Sequence, residues 1–163
     1  MRAILTYHSL DESGSPISLP PRTFRQHVAW FASGRVRVVG VRELLELTDA
    51  DDAVALTFDD GFANFASDAM PVLAEHGLPA TVFIVTSQVG RDNRWRGLGD
   101  PGVPVLPLLD WDAIGRLREA GISFGAHSRT HPRLPTLTSP ELEEEVGEAS
   151  SDMQRHLGER PQG

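Results

Sequence analysis

Asp59-Asp60-Gly61 and His127-Ser128-Arg129-Thr130-His131-Pro132 are the two places in this 163-residue chain where chemistry-bearing side chains crowd together. Adjacent carboxylates repel one another, and a nearby cation relieves them. On a turn, neighbouring side chains face different ways, so one aspartate can hold a metal ion while the other stays free as a base. The plainer alternative is a turn that caps the next helix, since Asp is a good N-cap and Gly a good turn residue. In the second cluster two histidines stand at i and i+4. Pro132 biases His131 away from the helical region, so the pair belongs on a loop. Ser128 follows the first histidine where a His-Glu-x-x-His protease helix needs glutamate, and that reading fails. Ser128 and Thr130 are able to hydrogen-bond the loop backbone and hold the two rings. A pair of surface or packing histidines is the alternative here.

Together the clusters offer two imidazoles and one carboxylate, with a second carboxylate at hand. Such a set leaves positions on a divalent metal open for water and a substrate oxygen. The metal lowers the pKa of its water toward about 7, and the spare aspartate takes the proton. That chemistry hydrolyses an amide or ester carbonyl. Other sets fit less well. A phosphatase of the Asp-x-Asp type needs an aspartate where Gly61 stands. A non-haem iron oxygenase also uses two histidines and a carboxylate, but usually on an all-β barrel. Asp68, the tryptophans, His27, His76 and His156 show no comparable grouping and read as surface, core or helix-face residues.

Both clusters follow short apolar runs, which must be the elements that position them. Residues 53–58 (Ala-Val-Ala-Leu-Thr-Phe) form a continuous apolar run of the kind buried on both faces, and Asp59 comes next. Residues 122–126 predict a strand that runs directly into His127. Further strands are expected at 3–7, 37–39 and 80–85. Helices are expected from a Thr23 cap through Phe24, Val28 and Phe31, at 41–47, and at 66–76 with Gly77 as its C-cap and Pro79 as its stop. Another runs from an Asp110 or Asp112 cap to Ala120. A long acidic helix starts at Ser139-Pro140-Glu141 and ends near Leu157, with Ser139 as N-cap. The Gly/Pro-rich segment 86–107, carrying Arg91, Arg94, Trp95 and Arg96, exceeds an ordinary connection, and loops of that size are often functional. Alternating strands and helices predict an α/β fold with a mainly parallel sheet, whose reactive groups gather at the strand ends.

Composition narrows the function classes. Hydrophobic residues at 40% and charged residues at 23% suit one soluble domain spanning 1–163. Fifteen Lys and Arg against 23 Asp and Glu give a net charge of −8, which argues against nucleic acid and anionic lipid as partners. The chain has no cysteine, which excludes disulfides, thiolate metal sites and cysteine nucleophiles. No run reaches the roughly 18 apolar residues of a membrane span, and the N-terminus does not read as a signal peptide. The expectation is a cytoplasmic protein, unless a leader has been removed.

Thr57-Phe58-Asp59-Asp60-Gly61 and His127-Ser128-Arg129-Thr130-His131-Pro132 resemble the first two motifs of the polysaccharide deacetylases, the NodB-homology carbohydrate esterases. Tyr7-His8, the helix 111–121 and the long acidic helix extend the resemblance over most of the chain. It implies a distorted (β/α) barrel, here incomplete with about five strands where the family barrel has about seven. It implies metal-dependent removal of acetyl groups from N-acetylated, sometimes O-acetylated, sugars. By position in the motifs, Asp59 is expected as catalytic base, and Asp60, His127 and His131 as metal ligands. The implied metal is zinc, with cobalt, nickel or manganese as alternatives. Tyr7-His8 occurs in a branch acting on exopolysaccharide, and His8 is expected along the substrate groove. The family's third motif should follow the acidic helix, where this sequence reads Arg160-Pro161-Gln162-Gly163. The later histidine that acts as general acid is also not found, and His8 or His156 is left to substitute. The chain therefore reads as the N-terminal portion of a deacetylase. A non-catalytic metal- or glycan-binding fragment, or a cyclic amide or ureide hydrolase, is the alternative. Open sheet edges suggest cover by a partner chain, as in a homo-oligomer.

Overall fold

A computed structural model describes residues 1–48, 52–97, 99, 101–158 and 160–161. Five strands form a wholly parallel sheet: β1 (Arg2–Tyr7), β4 (Arg37–Val38), β5 (Ala53–Phe58), β6 (Thr81–Ile84) and β7 (Ser123–Ala126). β5 is central. β1 pairs with it from Arg2↔Ala53 to Tyr7↔Phe58. Its other partners divide its length: β4 meets Ala53 and Val54, and β6 meets Thr57 and Phe58. β7 completes the order beside β6. Two further strands, β2 (Ser9–Leu10) and β3 (Ser18–Leu19), pair as a separate small sheet that the sequence does not predict.

The apolar run of β5 is buried at all six positions. Val54, Leu56 and Phe58 pack with Phe24, Val28, Phe65, Leu73 and Ile114 in the main core. These residues come from α1 (Pro21–Ala32), the π-helical turn Phe65–Ala69, α3 (Met70–Glu75) and α4 (Trp111–Glu119). Ala53 and Ala55 turn the other way, against Val39 and with Leu44 of α2 (Val41–Glu46). Phe58 anchors the upper end of the strand, its ring centroid 4.7 Å from Phe65, 5.2 Å from Tyr7 and 5.5 Å from Phe24. Such ring pairs add to the cohesion of this end of the sheet, about 0.5–1.5 kcal/mol each beyond the area they bury.

Several expected boundaries move. Thr23 lies inside α1, whose N-cap is Pro20, because Pro21 already supplies the fixed φ of a first helical position. The helix expected at 66–76 is a π turn followed by α3. The last helix, α5 (Ser139–Leu157), is capped by Thr138, one residue before the expected Ser139. The Glu141 carboxylate accepts the Thr138 N–H at 2.8 Å, closing a capping box. Asp110 caps α4 by accepting the Ala113 N–H at 2.7 Å, which settles the choice against Asp112.

Beside β6 and β7 the inner face opens into a cavity of about 690 Å³, lined by Thr81, Phe83, Ser123, Gly125, Met153 and Leu157 among others. Ile4 and Leu5 of β1 are exposed. An open cavity and an uncovered first strand are what a barrel with part of its wall missing presents. Among the described residues, no helix is long and apolar enough to cross a membrane. Gln162 and Gly163, part of the segment compared with a third motif, lie outside the described residues.

Candidate metal centre

Because the sheet is parallel, the last residues of β1, β5 and β7 reach the same edge. The Asp59 N–H donates to the Tyr7 carbonyl at 2.9 Å, and the His127 N–H to the Ile84 carbonyl at 2.8 Å. These bonds continue the ladder one residue past the strands and set the two motifs side by side. The chain then turns sharply. Asp60 and Gly61 have φ of 68° and 77°, and Ser128 and His131 have 61° and 60°. Left-handed backbone at non-glycine residues costs energy and clusters where function demands a particular side-chain direction.

The turns bring three donors to a point. Asp60 Oδ1 lies 3.6 Å from His127 Nε2 and 3.4 Å from His131 Nε2. One ligand atom from each of Asp60, His127 and His131 falls within 4.8 Å of the others. Asp60 is buried, while the two histidine side chains keep about a third of their surface exposed. Two imidazole nitrogens and a carboxylate oxygen suit zinc or a similar divalent ion, and the exposed side leaves room for further ligands. Asp60 does not cap a helix. The π turn begins at Phe65 with Asn64 before it, so the capping alternative for Asp59-Asp60 is not what the fold uses.

Asp59 is half-buried at the same edge. His8 joins it from the end of β1. Burial holds the His8 imidazole below the usual histidine range, the Asp59 carboxylate pulls it up, and His127 pushes it down. His8 thus sits within electrostatic reach of both motifs. His156 is elsewhere engaged, stacked on Trp111 at 4.1 Å with ring planes 5° apart.

Residues 93–97 and 104–109 flank the candidate centre on one side. Asn93, buried, donates to the Pro104 carbonyl at 3.0 Å and accepts the Leu106 N–H at 2.8 Å. The Leu109 N–H reaches the Gly61 carbonyl at 2.8 Å, and the Ala63 N–H reaches the Pro107 carbonyl at 2.9 Å. The short helical turn Trp95–Gly97 sets the Trp95 ring 4.5 Å from His131. Trp95, read from sequence as an ordinary surface or core residue, therefore packs beside the candidate centre. The only signal available was its place in an overlong polar segment.

Ser128 behaves as expected, its hydroxyl accepting the His131 N–H at 3.2 Å. Thr130 does not. Its hydroxyl donates to Glu145 of α5 at 3.2 Å rather than to the loop backbone. Glu145 was legible only as one more charge on an acidic helix.

The sequence profile of the polysaccharide deacetylases matches residues 46–163 and takes in both motifs. The chain belongs to the polysaccharide deacetylase family. It is 27% identical over 151 residues to YxkH of Bacillus subtilis (strain 168), a protein of polysaccharide deacetylase description, covering 90% of this chain and 49% of that one. It is 33% identical over 86 residues to the chitin deacetylase of Colletotrichum lindemuthianum, covering 53% of this chain and 29% of the fungal enzyme. The chain thus spans about half of the bacterial relative and less than a third of the fungal one. Among solved structures, Streptococcus pyogenes deacetylase PplD, in complex with acetate, superposes with a TM-score of 0.78 at 19% identity, covering 98% of this chain and 70% of that one. IcaB from Ammonifex degensii gives 0.76 at 21% identity, with coverage of 98% and 71%. These likenesses show the fold: an α/β deacetylase-type barrel with part of its wall present.

Proposed function

We propose that this polysaccharide deacetylase-family chain carries the metal-binding half of a hydrolase that removes acetyl groups from N-acetylated sugars. The observation that carries the reading is the convergence of Asp60, His127 and His131 donors within 4.8 Å beside Asp59. Asp60, His127 and His131 are assigned as the ligands of a divalent ion, with zinc first. Bound there, such an ion acidifies water and polarises a carbonyl. Asp59 is assigned as the base. It receives a proton from the water whose oxygen attacks the acetamide carbon. The carbon–nitrogen bond then breaks, acetate leaves, and the sugar nitrogen takes a proton. Of the two histidines the sequence offers as donors of that proton, His8 is favoured, because its imidazole feels the charges of Asp59 and His127 while His156 is stacked on Trp111. The indole of Trp95 shields His131 from bulk solvent on one side.

The test pairs metal binding with turnover. Zinc stoichiometry is measured on the wild-type chain, His127→Ala and Asp59→Asn, and acetate release is followed with chitin oligomers. One zinc in the wild type, none in His127→Ala, and zinc without turnover in Asp59→Asn is the expected result. Full turnover in Asp59→Asn removes Asp59 from the role of base. Zinc binding that ignores His127 removes the proposed centre.

A further inference from the structure

The two histidines of the centre are joined by only three residues, Ser128, Arg129 and Thr130, and the backbone is left-handed both at Ser128 in this loop and at His131 directly after it. Such backbone persists only when its surroundings hold it. Two elements do so. From the sheet side, the Thr86 and Ser87 N–H groups donate to the Ser128 and Arg129 carbonyls at 3.3 and 3.0 Å. On the helix side, one carboxylate collects the rest. Glu145 Oε1 accepts the Arg129 N–H at 2.8 Å and the Thr130 N–H, and Oε2 accepts the Thr130 hydroxyl at 3.2 Å. Asp152, two turns further along α5, braces the same junction. It accepts the Thr86 hydroxyl at 3.0 Å and pairs with Arg155 at 2.9 Å and Arg129 at 3.7 Å.

Glu145 acts on the backbone between the two imidazoles. It binds two consecutive N–H groups between them, and the direction of those N–H vectors fixes where His127 and His131 leave the backbone. The Glu145 side chain is half-buried, and its two oxygens are placed to take three donors of the loop at once. We propose that Glu145 is a positioning residue for the centre: its carboxylate holds the loop so that the two imidazole nitrogens present the spacing a metal requires. This rests on the ligand assignment above. Partners that orient metal ligands typically change affinity by about 10–100-fold when removed.

Geometry and charge are separable at this position. Glu145→Gln keeps an oxygen in place for both N–H groups and removes the charge. Glu145→Asp keeps the charge and draws the oxygens back by one methylene. Zinc affinity is measured for both, and for the wild type, by competition with a chromogenic chelator, alongside thermal unfolding in EDTA as a check on the fold. The expected result is a loss of about tenfold or more in Glu145→Asp, with Glu145→Gln close to the wild type. The opposite order would overturn the proposal, since the negative charge rather than the loop geometry would then set affinity. Both variants matching the wild type would overturn it as well. A wild-type chain that binds no zinc overturns this proposal together with the ligand assignment, whereas zinc binding with unaffected variants overturns this one alone.

Discussion

Gly61 supports a sharp test of how the candidate metal centre is built, because its backbone and its surroundings both refuse a side chain. Its φ is 77°, directly after Asp60 at 68°. A Cβ added there would meet Ile84 Cγ2 at 2.9 Å, with Ile84 Cβ at 3.5 Å behind it. Ile84 is 1% exposed, and a β-branched side chain is stiff at χ1, which limits how it can yield. Gly61→Ala therefore incurs about 1–2 kcal/mol for left-handed backbone at a residue with a Cβ. Overpacking a filled core adds roughly 1–3 kcal/mol. The sum is about 2–5 kcal/mol, and at about 2–4 °C per kcal/mol for a domain of this size Tm falls by roughly 4–20 °C. Gly115 provides the matched control. It lies within α4, and a Cβ there meets nothing within 4 Å. Gly115→Ala should raise stability by about 0.5–1 kcal/mol, since glycine inside a helix is the poorer residue. Thermal unfolding in EDTA reads both variants, and zinc titration of Gly61→Ala reads the displacement of Asp60. A Gly61→Ala protein that melts within a degree or so of the wild type and binds zinc normally would refute the claim that this turn is sterically determined.

Two further expectations follow from other parts of the molecule. Asn93→Ala removes two buried bonds that cross-link residues 93, 104 and 106, a loss of about 1–3 kcal/mol that should be local to the segment; limited proteolysis should cut within 86–107 well before the sheet melts, and unchanged resistance would show that the cross-link is dispensable. Partial burial pushes the Asp11 carboxyl up, but hydrogen bonds from Ser13, Ser9 and Ser18 outweigh it and hold the group below the usual aspartate range. A carboxylate depressed in the folded state contributes stability above its unfolded pKa and loses it as the pH falls through the folded one. Asp11→Asn should therefore flatten the acid limb of the stability profile below about pH 4, and an unaltered limb would assign that limb to other carboxylates.

How much could be read in advance depended on how far apart the deciding atoms are in the chain. The run 53–58 announced a strand buried on both faces, and every position is buried. The two motifs stood out because reactive types sat next to each other directly after strand signals. Caps were harder. Thr138 and Ser139 are both competent caps and Pro140 is tolerated at either of the first two helical positions, so the boundary slipped by one residue. β2 and β3, at two residues each, carry no periodicity to detect. Trp95 and Glu145 were missed for a different reason. Their partners, His131 and the 129–130 backbone, come from other elements, and only the packing of the 86–107 segment and α5 onto the sheet edge brings them together.

The parallel pairing of β5, β6 and β7 has a kinetic consequence. Parallel neighbours cannot be joined by a tight turn, so each pairing waits for a full crossover through α3 or α4 to close. Asp60 is carried by the first of these strands and the histidines by the last, so a chain with only one crossover docked owns half a centre. The contacts involved are non-local, and the loop-closure entropy of each must be met before the contact rewards it, so they are expected late in folding. A ligand that bridges Asp60 to the histidines can then stabilise the finished protein without stabilising the species that limits its folding rate. Its effect is confined to the escape route: it slows unfolding and leaves the approach to the native state as it was.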